Sequence, residues 1–197
     1  MVLDDGRCKL AQKSSIVRVD EEGLSILRPG VFSEANLKRL ASFMVVTVCT
    51  GNTCRSPMAE MLLKKRIADK LKCKIEDLDD RGIVIMSAGI SATPGGRGAA
   101  EAVETLKARG LDLSLHESQP LAERIVRFAD VIITMTRSHR DVILQHFPEA
   151  APRVHLLSRG GADVADPIGG PIELYRRCAD EIDGYIADWI EHLPLGK

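Results

Sequence analysis

From Met44 onwards the sequence alternates short apolar runs with amphipathic segments, and this alternation limits the folds open to the chain. Residues 44–48 form a continuous apolar and mostly β-branched run, which is typical of a strand buried on both faces. Similar runs recur at residues 83–86, 131–135 and 154–157, with helix-like periodicity between them. Alternating strands and helices predict right-handed β–α–β crossovers. We therefore expect an α/β fold, a small Rossmann-like three-layer α/β/α sandwich on a four-stranded parallel sheet.

The N-terminal part of the chain does not follow this pattern. Two short strand-like segments, residues 15–19 and 24–27, flank a turn-forming sequence at residues 20–23. Such an arrangement predicts a hairpin. We therefore interpret residues 1–43 as a short hairpin-like N-terminal extension and residues 44–197 as the main domain.

The charge and the cysteines exclude several classes of function. The 27 Lys and Arg residues nearly balance the 28 Asp and Glu residues, which gives a net charge of -1. A chain with so little net charge is not drawn as a whole to nucleic acid or to an acidic membrane. The five cysteines form no C-x-x-C pair and no Cys/His cluster with zinc spacing. We therefore expect reduced thiols, no metal and no other cofactor.

The same features bear on where the protein acts. Residues 1–6 are acidic and contain no apolar run, so we expect no signal peptide. No apolar stretch approaches the length needed to span a membrane. Reduced cysteines favour a reducing compartment, and we expect the cytoplasm.

The segment after the first apolar run carries the most specific chemical pattern. Cys49 follows that run directly, five residues separate it from Arg55, and Ser56-Pro57 starts a helix. Such a loop collects backbone N–H groups at the positive end of a helix dipole, an arrangement that binds anions. Arg55 can hold two phosphate oxygens with its planar guanidinium group. A cysteine in these surroundings favours the thiolate, the nucleophilic form.

A simpler interpretation makes Cys49 and Cys54 structural cysteines at the end of a strand. The Gly and Asn inside the loop and the Ser-Pro behind it favour the functional interpretation instead. The residues of this predicted phosphate-binding loop are Cys49, Thr50, Gly51, Asn52, Thr53, Cys54, Arg55 and Ser56.

The sequence VTVCTGNTCRSPMAE, at residues 46–60, resembles the signature of the low-molecular-weight protein phosphatases. The resemblance extends over residues 44–193 and includes Ser87-Ala88-Gly89, residues 112–118 and Asp166-Pro167. It implies that Cys49 forms a phosphocysteine intermediate.

The resemblance also implies that Asp166 is the general acid, although an Asp-Pro pair alone is a common turn signal. Such a reaction needs an acid for the leaving group and then a base for the hydrolytic water. By the same resemblance, Ser56 would hydrogen-bond the sulfur of Cys49 and Asn52 would brace the loop. Cys54 would be able to form a reversible disulfide with Cys49.

Two positions, Thr53 and Ile168, bear on which phosphorylated side chain of a protein is the substrate. Tyrosine-directed members of the family usually carry a bulky aliphatic residue in place of Thr53, and aromatic residues that sandwich the phenol ring. Here Ile168-Gly169-Gly170 follows the Asp-Pro pair, and residues 91–96 contain no aromatic side chain. Thr53 with Asp-Pro-x-Gly-Gly resembles the protein-arginine phosphatase branch, which has Phe at the position of Ile168. The resemblance thus implies that phosphoarginine is the preferred substrate, with phosphotyrosine as the alternative.

Other classes fit the sequence less well. An arsenate reductase shares this fold and loop but needs further cysteines on a mobile segment, and Cys73 and Cys178 form no such pair. A non-catalytic phosphate-binding module would lack the nucleophile, the arginine or the acid, whereas all three are present. We expect a monomer or a weak homodimer.

The N-terminal extension resembles something different. Residues 13–19 and 26–33 are similar to the C-terminal end of a threonylcarbamoyl-AMP synthase domain. The basic nucleotide-binding portion of such a domain is not in this sequence. We therefore expect a remnant without synthase activity.

Overall fold

The computed structural model describes residues 12–20 and 23–195. The chain forms two compact units, Met1–Ser42 and Phe43–Lys197, which are taken in turn below. The acidic residues 1–6, Cys8 and positions 21–22 of the predicted turn lie outside the described residues.

The first unit contains a two-stranded antiparallel hairpin and one short helix. Strands β1 (Ile16–Asp20) and β2 (Gly23–Arg28) pair with each other, and helix α1 (Glu34–Leu40) follows. The Arg28 guanidinium donates to the Ser14 carbonyl oxygen at 3.1 and 3.2 Å and ties the end of β2 to the chain before β1. The predicted hairpin is confirmed, whereas its origin in a synthase-like domain stays a prediction.

The second unit alternates strands and helices. The strands are β3 (Phe43–Cys49), β4 (Ile83–Gly89), β5 (Val131–Thr134) and β6 (Val154–Leu156). The helices are α2 (Arg55–Leu71), α3 (Ala100–Lys107), α4 (Glu123–Phe128), α5 (Arg137–His146) and α6 (Ile172–Ile190). The four strands are parallel and lie in the order β4-β3-β5-β6. The predicted parallel sheet is therefore confirmed.

Two hydrophobic cores, one on each face of the sheet, explain the uninterrupted apolar run of β3. Val45 packs into the core formed with α2, α3 and α6. Val46 and Val48 point the other way, into the core formed with α4 and α5. All three residues are completely buried, because β3 is an inner strand with helices on both sides. This arrangement is the expected three-layer α/β/α sandwich.

The carboxyl ends of parallel strands meet at one edge of a sheet, where binding sites of such folds lie. Cys49 ends β3 and is in register with Gly89, which ends β4. After β5, the Met135 backbone N–H donates to the Val48 carbonyl oxygen at 3.0 Å. The loops that follow three strands therefore converge on the end of β3.

In the described segments, 12–20 and 23–195, no helix is both long enough and apolar enough to cross a membrane.

Candidate active site

The thiol of Cys49 lies in a buried hydrogen-bonded pair with Ser56. The Cys49 Sγ to Ser56 Oγ distance is 3.0 Å, and both residues are at least 97% buried. Ser56 Oγ accepts a hydrogen bond from Asn52 Nδ2 at 2.9 Å and lies 3.3 Å from the Ala88 carbonyl oxygen. The Ser56 hydroxyl hydrogen can thus go to the carbonyl or to the sulfur. A thiolate would attract it more strongly, because hydrogen bonds to charged acceptors are the stronger ones.

Asn52 connects the loop to a distant part of the chain. Its backbone has a positive φ of 55°, a conformation that Asn tolerates better than most residues. Its Oδ1 accepts from the Gln119 backbone N–H at 2.9 Å, and its carbonyl oxygen lies 2.7 Å from His116 Nε2. Asn52 is fully buried. These contacts fit the expected bracing role.

Gly89 allows the loop to approach the end of β4. A Cβ atom at this position would lie 2.5 Å from the Thr50 carbonyl oxygen and 3.0 Å from the Asn52 nitrogen. Both neighbours are backbone atoms of the loop, so a side chain would displace the loop itself. The sequence singled out Ser87-Ala88-Gly89 only by resemblance, and this close approach gives the physical reason for the glycine.

Arg55 is a buried residue of the loop, and its Nε has no hydrogen-bond partner among the described residues. Its Nη1 donates to the Val164 carbonyl oxygen at 3.1 Å, and its Nη2 donates to Asp166 Oδ2. Among residues 12–20 and 23–195, no atom accepts a hydrogen bond from its buried Nε. Cys54, the N-cap residue of α2, makes no side-chain hydrogen bond to the first turn. An anion in the loop would satisfy both the Nε and the N–H groups of that turn.

Asp166 is held at the mouth of the loop by its own segment. The Val164 backbone N–H donates to the Met135 carbonyl oxygen at 2.9 Å, next to the end of β5. The second carboxylate oxygen of Asp166 accepts from the Ile168 backbone N–H at 3.3 Å. The Asp166 side chain is 39% exposed, against 6% for that of Arg55. One carboxylate therefore reaches both the buried arginine and the solvent.

His139 belongs to this site, although no motif in the sequence points to it. Its Nε2 lies 2.9 Å from Thr50 Oγ1, and its side chain comes from the first turn of α5. Burial, and next the positive charge of Arg55, lower the pKa of His139 to about 4. The ring is therefore neutral near neutral pH. Its Nδ1 is buried and has no hydrogen-bond partner among the described residues.

The remaining loop residues line the side that faces α3 and α6. Thr53 is half-buried, and its Oγ1 lies 3.6 Å from Cys54 Sγ, which in turn lies 3.7 Å from the Tyr175 hydroxyl. Burial raises the pKa of the Cys54 thiol. Cys49 and Cys54 are both free thiols, and their disulfide stays a prediction. The Thr53 carbonyl oxygen accepts from the Ala99 backbone N–H at 2.9 Å and fixes the loop to the start of α3.

The structure places five of the predicted site residues in two hydrogen-bonded groups. Hydrogen bonds join Cys49, Asn52 and Ser56 on one side of the loop and Arg55 with Asp166 on the other. Within the described part of the chain, no hydrogen bond joins the two predicted specificity residues, Thr53 and Ile168. Ile168 is 67% exposed.

Known proteins are similar to this chain in both sequence and architecture. Residues 44–195 match the family described as "Low molecular weight phosphotyrosine protein phosphatase". A protein-arginine-phosphatase of Geobacillus stearothermophilus is 36% identical over 155 residues, which cover 77% of this chain and 96% of that protein.

Two solved structures are similar as well. One is a low molecular weight protein tyrosine phosphatase from T. tengcongensis, with a TM-score of 0.69 and 36% identity over 77% of this chain and 100% of that one. The other is a Cys-to-Ser mutant of the YwlE arginine phosphatase with a phosphorylated active-site serine. It has a TM-score of 0.68 and 34% identity, and the match covers 77% of this chain and 95% of that one. The chain therefore belongs to the low molecular weight phosphotyrosine protein phosphatase family.

Proposed function

We propose that this protein is a protein-arginine phosphatase in which Cys49 is the nucleophile. The observation that carries the proposal is the buried pair of Cys49 and Ser56 at 3.0 Å, next to an arginine whose Nε has no partner among the described residues. The loop therefore holds a nucleophile, Cys49, a hydrogen-bond donor to its sulfur, Ser56, and a cationic donor, the Arg55 Nε. These are the elements that phosphoryl transfer to sulfur needs.

In the first step, the Cys49 thiolate attacks phosphorus while the loop N–H groups and Arg55 bind the phosphoryl oxygens. The S–P bond forms as the bond from phosphorus to the leaving group breaks. Asp166, as the carboxylic acid, donates its proton to that leaving group, which is a guanidine nitrogen for phosphoarginine. Its half-exposed position at the mouth of the loop suits this role.

In the second step, water attacks phosphorus and the S–P bond breaks. The Asp166 carboxylate takes a proton from this water, and the phosphoryl group, now bonded to the water oxygen, leaves as inorganic phosphate. The electron pair returns to the Cys49 sulfur as a thiolate. Ser56 then stabilises the thiolate through its hydroxyl hydrogen, which makes the sulfur a better leaving group.

The proposal of phosphoarginine rests on individual residues around the loop, because overall sequence identity does not distinguish the arginine phosphatase from the tyrosine phosphatase. The Geobacillus arginine phosphatase and the T. tengcongensis tyrosine phosphatase are each 36% identical to this chain. Thr53 is a small polar residue on the loop, and the loops at 91–96 and 166–170 carry no aromatic side chain to stack on a phenol ring. A carboxylate at the mouth, that of Asp166, attracts a cationic guanidinium group. Protein-tyrosine phosphatase activity is the alternative.

Several further points belong to the same proposal. The substrate is a phosphorylated protein, and the enzyme works in the cytoplasm without a cofactor, as a monomer or a weak homodimer. The near-neutral net charge of -1 supports a protein substrate over nucleic acid or a membrane surface.

The test is a side-by-side measurement of kcat/KM for two peptides of one sequence, one with phosphoarginine and one with phosphotyrosine. We expect the phosphoarginine peptide to be the better substrate by at least about tenfold, which is ~1.4 kcal/mol of transition-state stabilisation. A tenfold preference for phosphotyrosine would overturn the arginine assignment.

A matched pair of variants tests the role of Cys49. Cys49→Ser should abolish turnover but still bind the phosphopeptide, because the loop N–H groups and Arg55 remain. Cys73→Ser removes a half-buried thiol outside the loop and should leave kcat unchanged. Turnover by Cys49→Ser at more than about 1% of the wild-type rate would remove Cys49 from its role.

A further inference from the structure

A cationic groove lies at the β6 edge of the sheet. It has a volume of about 520 Å³ and lies between the first turns of α5, strand β6 with the loop after it, and the C-terminal end of α6. The positively charged or titratable residues that line it are Arg137, Arg140, His155, Arg159 and His192. None of the lining residues is acidic.

Two of these arginines form no ion pair with any residue in the described part of the chain. Asp163 neutralises Arg137, with carboxylate oxygens 3.3 and 3.4 Å from the Arg137 Nε and a bond from its backbone N–H at 2.8 Å. No carboxylate in the described part of the chain lies within ion-pair distance of Arg140 or Arg159. Burial, and next the positive charges of Arg140 and Arg159, lower the pKa of His155 between them. The groove is therefore lined by two guanidinium groups that no described carboxylate pairs with.

The C-terminal end of α6 contributes Trp189 to the groove. The Arg159 guanidinium lies 5.8 Å from the centre of the Trp189 ring, in a cation–π arrangement. Trp189 Nε1 donates to the Leu157 carbonyl oxygen at 2.8 Å, and only 8% of the residue is exposed. The indole thus positions Arg159, but its covered faces leave no platform on which a nucleic-acid base could stack.

Two short chain segments connect the groove to the phosphatase loop. His139, two residues after Arg137, contacts Thr50 of the loop. Val164, the residue after Asp163, accepts the hydrogen bond from Arg55. These two links place residues that line or border the groove next in sequence to residues that contact the phosphate-binding loop.

We propose that the groove binds an acidic segment of the protein substrate, so that Asp and Glu side chains near the phosphorylated residue pair with Arg140 and Arg159. The proposal rests on the proposed function above for the identity of the substrate, but not for the binding itself. Charge complementarity argues for this occupant, because two uncompensated guanidinium groups favour carboxylates. The limited volume suits a few side chains of a peptide rather than a folded polyanion.

The first experiment measures binding without catalysis. Trp189 is the single tryptophan of the chain, and it touches Arg159 in the groove, so its fluorescence reports on occupancy. An unphosphorylated Glu-rich peptide should change this fluorescence and bind more weakly as salt is raised. The double variant Arg140→Gln/Arg159→Gln should lose about fivefold or more in affinity, as expected for two exposed ion pairs. Equal affinity of both proteins would overturn the proposal.

The second experiment measures how much docking contributes to turnover. Two phosphopeptides, one with acidic and one with neutral flanks, are compared by the ratio of their kcat/KM values. The wild-type ratio should be about five and should fall to about one in the double variant, mainly through KM. The matched control Arg124→Gln removes an exposed positive charge on α4, outside the groove, and should keep the ratio. A wild-type ratio of one contradicts the proposal.

These two measurements separate the failure of docking from the failure of the proposed function. If neither phosphopeptide is hydrolysed, the proposed function fails, and the fluorescence titration still decides whether the acidic peptide binds. Arg140→Gln alone, an exposed substitution that leaves the Trp189 contact intact, tests the groove if the double variant folds poorly. A short oligonucleotide that binds the groove more tightly than the acidic peptide would show that an acidic protein segment is not the ligand of the groove.

Discussion

Replacing Asn52 tests how the phosphate-binding loop is held, because this residue combines a strained backbone with two side-chain hydrogen bonds, one buried and one part-buried. Asn52→Ala would remove the bonds to Ser56 Oγ and from the Gln119 N–H, both 2.9 Å long. Each such bond contributes about 1 kcal/mol, and a buried donor left without a partner adds about 1 to 3 kcal/mol. Alanine at φ 55° adds roughly 1 kcal/mol of strain. We expect the free energy of unfolding to fall by about 4 to 6 kcal/mol.

Asn52→Gly is the matched control for the strain. Glycine loses the same two side-chain bonds but adopts a positive φ without a steric cost, although it gains entropy in the unfolded state. Urea unfolding should therefore find Asn52→Gly more stable than Asn52→Ala by several tenths to about 1 kcal/mol. Both variants should also lose kcat, because Ser56 would no longer be oriented towards Cys49. A loss below about 1 kcal/mol in Asn52→Ala would refute the reasoning.

Three other predictions concern one residue of the loop, Thr53, and two residues that contact the loop, His139 and Gly89. The pKa of His139, about 4, lies below its unfolded value of 6.5, so the unfolded state binds more protons between these values. The free energy of unfolding should fall by about 3 kcal/mol as the pH drops from 7 to 4, and His139→Gln should lose that part of the dependence in urea titrations at each pH. Thr53→Ile should shift kcat/KM from phosphoarginine towards phosphotyrosine peptides, and an unchanged ratio would remove Thr53 from substrate choice. Gly89→Ala should lower kcat at least about tenfold, because its Cβ would displace the Thr50 carbonyl; full activity would contradict the close approach.

Local patterns were enough to predict most of the fold. Strand β3 and the start of α2 could be predicted because a buried apolar run and a Ser-Pro helix start are both short-range signals. Cys49, Asn52, Arg55 and Ser56 lie within eight consecutive residues, so one loop carries them all. The structure adds the contacts between them, such as the bond from Asn52 to Ser56.

The contacts that depend on distant parts of the chain could not be predicted in this way. His139 is 89 positions from Thr50, and Gln119 is 67 positions from Asn52. Their hydrogen bonds arise because the parallel sheet brings the ends of β3, β4 and β5 together, and no sequence spacing encodes that pairing. Asp166 was found only through its resemblance to a family motif. Its contact with Arg55 was visible only in the structure.

The most direct test of the account is to isolate the covalent intermediate. Asp166→Asn removes the acid of the first step and the base that activates the hydrolytic water, so the phosphorylated enzyme should form slowly and then persist when the variant is mixed with a phosphoarginine peptide. Intact-mass and peptide mass spectrometry should then find one phosphoryl group on Cys49, and Cys49→Ser/Asp166→Asn should show none on sulfur. A phosphoryl group on any other cysteine, or turnover with no phosphorylated enzyme on rapid quenching, would contradict the central claim that Cys49 is the nucleophile.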